Sequence, residues 1–297
     1  MKFSIIIALA PDRDAEVLSS LNKIDYPKKD YEIIIKKGLN PSENRNAGIK
    51  EAKGEILAFI DDDAILHKNI LNNVTYRFGK HPEVDIIGGP QLTPRDDKFF
   101  AKISGYVLAS FLGTHQMRDR YRRSKFKLPA DEMSLTSANL FVKKKAIKRI
   151  GLFDPSLYPG EDPEFLARAE SKGARIAYDP NVVIYHRRRP TWYLFCKQFF
   201  KYGHVRMKKE KLRGTLPQLV FYLPSLFTLY IILVGFLSYF IHSIFLYPLY
   251  FYGVIVILNS LLIGLRKNFI ATFILPFIFL SIHFSYGLGM LWYFFKK

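Results

Sequence analysis

The last part of the chain carries almost no charge, and this constrains the fold more than any other feature. All 26 acidic residues precede residue 214, and only four basic residues follow it. Three apolar runs lie there, over residues 216–241, 244–265 and 269–295. Each has at least the roughly 20 residues that cross the hydrocarbon core of a bilayer. We therefore predict a membrane domain over residues 214–297, with two to three transmembrane helices.

The third apolar run is the least uniform, because its second half contains polar and small residues between Ser281 and Gly289. That composition also suits a helix that lies at the membrane interface or bends back. Three full spans would place Lys296 and Lys297 outside, against the preference of basic residues for the cytoplasmic side. Two spans with an interfacial last segment would keep both lysines inside, so the number of spans stays open.

Basic residues are concentrated just before the membrane domain. Residues 187–213 hold ten Lys or Arg and a single acid, Glu210. Such a cluster beside a span predicts a cytoplasmic face and attraction to anionic lipid. We assign residues 190–213 to a basic interface region, which includes an amphipathic helix over residues 192–202.

The overall basic charge does not indicate nucleic-acid binding. The isoelectric point is near 9.7, but membrane spans adjoin the basic cluster and no nucleic-acid-binding module is recognisable. The single cysteine, Cys196, excludes an internal disulfide framework.

The first 189 residues alternate short apolar runs with helical patterns, which predicts an α/β domain with a mainly parallel sheet and helices on both faces. The predicted strands cover residues 3–8, 32–35, 56–60, 84–87, 136–142, 175–178 and 182–186. The predicted helices cover residues 14–24, 42–52, 67–78, 99–112 and 161–172, with Ser42 as the N-cap of the second. The apolar start that ends in Ala8-Leu9-Ala10 imitates a short signal peptide, but we expect it to remain as the first strand.

Three carboxylates, Asp61, Asp62 and Asp63, stand directly after the predicted strand 56–60. Adjacent anions repel one another unless a cation, a helix N-terminus or solvent offsets their charge. They are either turn and cap residues before the helix at 67–78, or ligands for Mg²⁺ or Mn²⁺ at the carboxyl end of a strand. The triplet alone leaves both interpretations open.

Longer segments around the triplet carry a family resemblance. Residues 42–64 read SENRNAGIKEAKGEILAFIDDDA, residues 151–173 read GLFDPSLYPGEDPEFLARAESKG, and residues 182–203 read VVIYHRRRPTWYLFCKQFFKYG. Together they resemble family 2 glycosyltransferases of the GT-A fold, over about residues 3–205. Each segment alone would be weak evidence, and the three together are strong.

The resemblance implies a membrane-attached, inverting enzyme that uses a nucleotide-diphosphate sugar and Mg²⁺ or Mn²⁺. Asp61 and Asp63 would hold the metal with His186 as a further ligand, and Asp162 would be the catalytic base beside Glu161. The residues implied at the nucleotide sugar are Ala8, Ala10, Arg45, Asn46 and Asp62. Those implied at the acceptor or the diphosphate are Asn139, Arg187, Arg188 and Gln198.

Simpler roles fit several of these residues. Asp162 also suits the first turn of a helix with Pro163 near its start, and His186 also suits an ordinary histidine at a strand end. The chain departs from the family where the second strand ends, with Lys36 and Lys37 in place of the acid that binds the nucleotide base. The identity of the base is therefore open.

We interpret the chain as a multi-pass protein of the cell membrane with a cytoplasmic catalytic domain over residues 1–189. It would transfer a sugar, with inversion, to a lipid-linked or surface-glycan acceptor, one sugar per encounter. One rival is a Mg²⁺-dependent nucleotidyl or phosphoryl transferase, which would need a phosphate-binding glycine loop that is not visible. Another is a non-catalytic membrane scaffold, which would leave Asp63 and Asp162 dispensable.

Overall fold

Strands and helices alternate along the amino-terminal part of the chain, as the sequence predicts. The computed structural model describes residues 1–209 and 219–295. The strands are β1 (Phe3–Leu9), β2 (Tyr31–Lys37), β3 (Ile56–Asp61), β4 (Ala64–Leu66), β5 (Ile86–Gly88), β6 (Gln91–Leu92), β7 (Asn139–Lys143), β8 (Ile176–Tyr178) and β9 (Ile184–His186).

Helices flank the strands and make up the carboxyl-terminal part of the described chain. They are α1 (Leu18–Leu21), α2 (Pro41–Glu51), α3 (Ile70–Lys80), α4 (Phe99–Leu108), α5 (Phe111–Thr114), α6 (Lys144–Ile150), α7 (Glu161–Ser171), α8 (Trp192–Lys209), α9 (Leu223–Phe240), α10 (Tyr247–Lys267) and α11 (Ala271–Phe295). Short 3₁₀ turns cover Lys28–Asp30, His115–Arg120, Pro155–Leu157, Leu219–Phe221 and Ser243–Leu246.

The main sheet has the strand order β2-β1-β3-β7-β5-β8, and a second, three-stranded sheet has the order β4-β9-β6. Strands β1, β2 and β3 are parallel, as β5 and β8 are, whereas β7 runs antiparallel to both of its neighbours. The reversed β7 begins at the edge where β3 and β5 end. The mixed α/β architecture agrees with the predicted fold class.

The central strands are buried on both faces, which explains their continuous apolar runs. In β1, Ile5 and Ile7 pack into one core cluster with Val74 of α3. Ile6 packs into the other cluster with Ile49 of α2. Helices therefore cover both faces of the sheet.

Local hydrogen bonds move several helix boundaries away from the predicted ones. Helix α2 is capped by Asn40, whose side chain accepts from the Ser42 N–H at 3.0 Å, so the prediction of Ser42 as N-cap is wrong. Helix α3 begins at Ile70 because the preceding residues 64–66 pair as β4 with β9. The predicted helix over residues 14–24 is reduced to α1 and turns, since the Val17 N–H bonds to the Asp62 carbonyl.

The described chain forms two compact units. The first comprises Met1–Pro94 and Gln116–Arg187, and the second comprises Arg95–His115 and Arg188–Lys297. Helices α4 and α5 thus belong with the carboxyl-terminal helices, although they come from the middle of the chain. The predicted boundaries at residues 189 and 213 remain predictions, and residues 210–218 and 296–297 lie outside the described part.

Three helices of the second unit are long and apolar enough to cross a membrane: Leu223–Phe240, Ser243–Lys267 and Ala271–Phe295. The small residues of α11 lie at helix contacts. A Cβ at Gly287 would lie 2.1 Å from the Pro224 carbonyl of α9, and one at Gly289 would lie 2.0 Å from the Phe200 carbonyl of α8. Small residues let helix backbones approach closely, so the glycines in the third apolar run serve packing inside the second unit.

Candidate active site

Strand pairing brings the acid triplet and His186 together. Asp61 is the last residue of β3, and β4 begins two residues after Asp62 at Ala64, which lies opposite His186 of β9. The His186 Nε2 is 3.1 Å from Asp63 Oδ1 and 3.7 Å from Asp61 Oδ2. The carboxylates of Asp61 and Asp63 therefore face the imidazole of His186, which comes from a distant part of the chain.

These three side chains form a group that could hold a metal ion, since one ligand atom from each lies within 4.8 Å of the others. The Nδ1 of His186 is 3.1 Å from the Arg187 carbonyl. A carbonyl and a carboxylate both only accept, so the protonated ring donates from Nδ1 to Arg187 and from Nε2 to Asp63. A metal ion bound at Nε2 would take the place of the Nε2 proton, while the Nδ1 hydrogen bond would keep the ring in the same orientation. Hard carboxylate oxygens with one imidazole fit a divalent ion such as Mn²⁺ or Mg²⁺.

Asp63 is ionised in this surrounding. Burial would raise its pKa, but the hydrogen bond and charge of His186, together with the charge of Arg13, outweigh that effect and lower the pKa to about 2. A carboxylate with this pKa is available as a ligand throughout the neutral range.

Asp62 has a different neighbour. It is buried, and its Oδ1 lies 3.3 Å from Nη1 of Arg13, which is also 3.6 Å from Asp63 Oδ2. Burial and the adjacent charge of Asp63 raise the pKa of Asp62, and Arg13 offsets part of this rise. Arg13 was not predicted from the sequence, because a single arginine in a turn carries no pattern of its own.

Arg45 lies among three carboxylates. Its Nη2 is 3.3 Å from Asp61 Oδ1, and its Nη1 is 2.9 Å from Glu161 Oε1 and 3.8 Å from Asp162 Oδ1. Burial lowers the pKa of Arg45, but Asp162, Asp61 and Glu161 raise it more, so it stays above its ordinary value. The guanidinium thus links the acid at the end of β3 to the two acids that open α7.

Glycine at position 48 makes this placement possible. A Cβ there would lie 2.5 Å from Cγ2 of Ile6, so only glycine lets α2 pack this closely on β1. One turn earlier in α2, Arg45 then reaches the carboxyl edge of the sheet.

Asp162 is held by a serine that precedes β7. The hydroxyl of Ser137 donates to Asp162 Oδ1, and Ser137 is only 1% exposed. Glu161 is buried as well, and its Oε2 accepts from the Gly160 N–H at 2.9 Å. Burial and the charge of Asp162 raise the pKa of Glu161 against the opposing charge of Arg45. Ser137 was not predicted, because only the reversed direction of β7 brings it to this edge.

The remaining predicted residues lie in several places. Ala8 pairs in register with Asp61 on the adjacent strand, and Ala10 follows β1 in a turn with Arg13. The amide of Asn46 exchanges two hydrogen bonds with the Phe153 backbone, at 2.8 and 3.0 Å. Asn139 donates to the Val182 carbonyl at 2.8 Å.

The other three belong to different parts of the chain. Arg187 contributes the carbonyl that contacts His186 and ends the first unit. Arg188 and Gln198 belong to the second unit, where the Arg188 N–H bonds to Asp97 Oδ2 and the Gln198 amide donates to the Tyr202 hydroxyl. The nucleotide, acceptor and catalytic roles of all these residues remain predictions.

Comparison with known proteins decides the family. The family model described as glycosyl transferase family group 2 matches residues 56–291. The chain belongs to this family. The match covers β3 with its acid triplet, α7 with Glu161 and Asp162, and most of the candidate membrane helices.

Glycosyltransferase AglE of Haloferax volcanii is 27% identical over 156 residues, which are 52% of this chain and 47% of that protein. A pre-mycofactocin glycosyltransferase of Mycobacterium tuberculosis is 26% identical over 151 residues, 50% of this chain and 30% of that protein. The chain therefore spans about half or less of the length of these curated relatives.

Among solved structures, the fold is similar to that of the mannosyltransferase PcManGT from Pyrobaculum calidifontis, solved in complex with GDP-Man and Mn²⁺. The TM-score is 0.67 at 13% sequence identity, over 100% of this chain and 88% of that one. At this identity the likeness shows the fold alone, which is GT-A.

Proposed function

We propose that this glycosyltransferase transfers a sugar, with inversion, from a nucleotide-diphosphate sugar to a lipid-linked or surface-glycan acceptor. The observation that carries the proposal is the arrangement at one edge of the sheet. A group suited to a divalent metal, Asp61, Asp63 and His186, is joined through the single guanidinium of Arg45 to a second carboxylate, Asp162. An inverting transfer needs a base for the acceptor hydroxyl and a cation that stabilises the departing diphosphate, and these two groups could supply them.

The reaction is a single displacement at the anomeric carbon of the donor sugar. The bond from that carbon to the acceptor oxygen forms while the bond to the diphosphate oxygen breaks. Asp162 accepts the proton of the acceptor hydroxyl, and the hydrogen bond from Ser137 keeps its carboxylate in one orientation. A divalent ion held by Asp61, Asp63 and His186 would neutralise the charge that develops on the departing diphosphate.

Glu161 and Arg45 support this geometry without needing to react. Arg45 holds Glu161 and Asp61 at hydrogen-bond distance on its two terminal nitrogens. Glu161 thereby fixes the start of α7, which places Asp162. We assign Ala8, Ala10, Asn46 and Asp62 to the surroundings of the nucleotide sugar, and Asn139, Arg187, Arg188 and Gln198 to the acceptor or diphosphate.

The family supports a nucleotide-diphosphate sugar as the donor. So does PcManGT, which has a similar fold and whose structure contains GDP-Man and Mn²⁺. Either Mg²⁺ or Mn²⁺ suits the ligand group. We propose a multi-pass protein of the cell membrane, with the catalytic domain (residues 1–189) on the cytoplasmic face and the basic region 190–213 at the interface. A membrane-bound acceptor would explain why the catalytic domain and the apolar helices share one chain.

The test is release of nucleoside diphosphate by detergent-purified protein, supplied with a panel of nucleotide sugars, Mg²⁺ or Mn²⁺, and a membrane extract as acceptor source. We expect metal-dependent turnover of one donor in the wild type. Asp63→Ala and Asp162→Asn should each lower the turnover rate at least about a hundredfold. The first removes a proposed metal ligand, and the second removes the proposed proton acceptor. Asp25→Asn, an exposed acid distant in sequence from all these groups, is the matched control.

Three outcomes would contradict the proposal. Full activity of both Asp63→Ala and Asp162→Asn would show that the site is elsewhere. Turnover of nucleoside triphosphates in place of nucleotide sugars would favour a nucleotidyl or phosphoryl transferase, and no turnover of any donor would favour a scaffold.

A further inference from the structure

Arg13 stands out among the cations near the acid triplet because it is half exposed. Its side chain is 48% exposed, whereas that of Arg45 is 8% exposed. It contacts Asp62 and Asp63 through Nη1 alone. Within residues 1–209 and 219–295, its Nε and Nη2 donate no hydrogen bond.

The backbone holds Arg13 at this place. Its N–H donates to the Ala10 carbonyl at 3.2 Å, which closes a turn directly after β1. Four residues later, the buried Val17 donates its N–H to the Asp62 carbonyl at 2.9 Å. The segment that carries Arg13 is therefore fixed to β1 at one end and to the acid triplet at the other.

Charge balance indicates what the unused donors would bind. A divalent ion cannot neutralise both the triplet and a diphosphate, since the three carboxylates alone exceed its charge. Arg45 is buried and shared with Glu161 and Asp162, so it adds little for a bound anion. An arginine fork suits phosphate oxygens, because two of its N–H groups can donate side by side.

We propose that Arg13 binds the diphosphate of the sugar donor, so that Nε and Nη2 donate to its oxygens while Nη1 stays near Asp62 and Asp63. This inference rests on the proposed function.

The rival role is simple neutralisation of the acid triplet, and the two roles predict different binding. If Arg13 only offsets the acids, its removal makes the site more negative. Mn²⁺ would then bind as tightly or more tightly, nucleoside diphosphate would bind more weakly through charge repulsion alone, and Arg13→Lys, which keeps the charge, would restore all of the affinity. If Arg13 donates hydrogen bonds to the diphosphate, its removal also leaves Mn²⁺ binding intact or tighter and weakens nucleoside diphosphate binding, but Arg13→Lys restores only part of the affinity.

The experiment compares wild type with Arg13→Gln and Arg13→Lys by calorimetric titration of the purified full chain. The probes are Mn²⁺ alone, and then UDP, GDP and ADP at saturating Mn²⁺. For the nucleotide that the wild type binds, we expect Kd to rise about tenfold or more in Arg13→Gln, as for loss of hydrogen bonds to a charged group. Arg13→Lys should recover part of the affinity, because it restores the charge without the fork.

Lys28→Gln removes one exposed charge elsewhere in the first unit and serves as the control. Unchanged nucleotide affinity in Arg13→Gln, beside a wild type that binds, would overturn the role of Arg13 and leave the proposed function standing. A wild type that binds Mn²⁺ but none of the three nucleotides would overturn both.

Discussion

Ser137 shows how one hydroxyl can serve the reaction without reacting. It is buried before β7 and donates to the carboxylate that we propose as the base. We predict that Ser137→Ala lowers kcat about tenfold and leaves the KM for the donor unchanged, because the carboxylate loses its fixed orientation. Steady-state kinetics with varied donor and acceptor measure this.

Two variants separate positioning from a general loss of structure. Ser137→Thr keeps the hydroxyl and should recover most of kcat. Ser134→Ala removes a similarly buried hydroxyl, which donates to Asp131, and should leave kcat unchanged. Equal kcat values for wild type and Ser137→Ala would refute the positioning role.

Arg45 is a residue whose loss should affect stability as well as activity. Arg45→Met would leave Asp61, Glu161 and Asp162 close together without their shared cation. Removing one partner of a buried ion pair costs about 3 to 5 kcal/mol, so we expect a lower Tm in detergent. Arg45→Met with Glu161→Gln removes one of the stranded charges and should recover part of the loss. A double variant no more stable than the single one would contradict this account.

At the scale of elements, Glu32 ties the amino ends of the three parallel strands together. Its Oε1 accepts from Ser4 Oγ at 2.6 Å and from the Lys53 N–H at 2.7 Å, and Ser4 Oγ in turn accepts from the Gly54 N–H. Burial raises the pKa of Glu32, but these hydrogen bonds and the charge of Lys53 outweigh it and lower the pKa below its ordinary value.

A lowered carboxylate pKa predicts the sign of the pH dependence. The stabilisation by Glu32 is fully present above the ordinary pKa of glutamate, near 4.5, and is lost as pH falls through the lower folded-state value. We expect Glu32→Gln to have a lower Tm than wild type at pH 7, and the gap to narrow below about pH 4.5. Thermal unfolding measured between pH 7 and pH 3.5 tests this, and a gap that does not change with pH would contradict it.

At the scale of the whole molecule, packing within the second unit bears on how often the chain crosses the membrane. Helix α8 runs alongside the second half of α11, from Trp192 near Ser281 to His204 near Tyr293. The exposed face of α8 carries Lys197 and Lys201, and charged side chains are costly in hydrocarbon. We therefore expect the second half of α11 to lie on the same side of the membrane as α8.

We expect helix α9 to begin on that side as well, since the Ser225 hydroxyl contacts Met290 of α11. If the start of α9 and the end of α11 lie on the same side, the segment between them crosses the membrane an even number of times. We therefore predict two crossings among the three candidate helices, which agrees with the alternative of an interfacial last segment.

Cysteine labelling tests the count of crossings. In a Cys196→Ser background, single cysteines at Tyr193 and Phe295, both exposed, should react with a membrane-impermeant maleimide from the same side of oriented vesicles. Cysteines at Phe240 and Phe269 identify which turn lies on the other side. Labelling of positions 193 and 295 from opposite sides would mean an odd number of crossings and would refute the prediction.

The sequence by itself determined the features that depend on neighbouring residues. Hydrophobic runs predicted the three apolar helices, alternating patterns predicted the α/β domain, and the motifs around Asp61 and Glu161 predicted the family. These signals are local, because burial of a strand or a helix requires a fixed apolar spacing within one short segment.

Only the tertiary structure decided which side chains meet. Arg45 finds Glu161 across 116 positions, Ser137 reaches Asp162 because β7 runs backwards, and Arg13 reaches the triplet through a turn that carries no motif. Helices α4 and α5 join the second unit for the same kind of reason. Such contacts follow from strand order and direction, which residues distant in the sequence fix together through packing of a shared core.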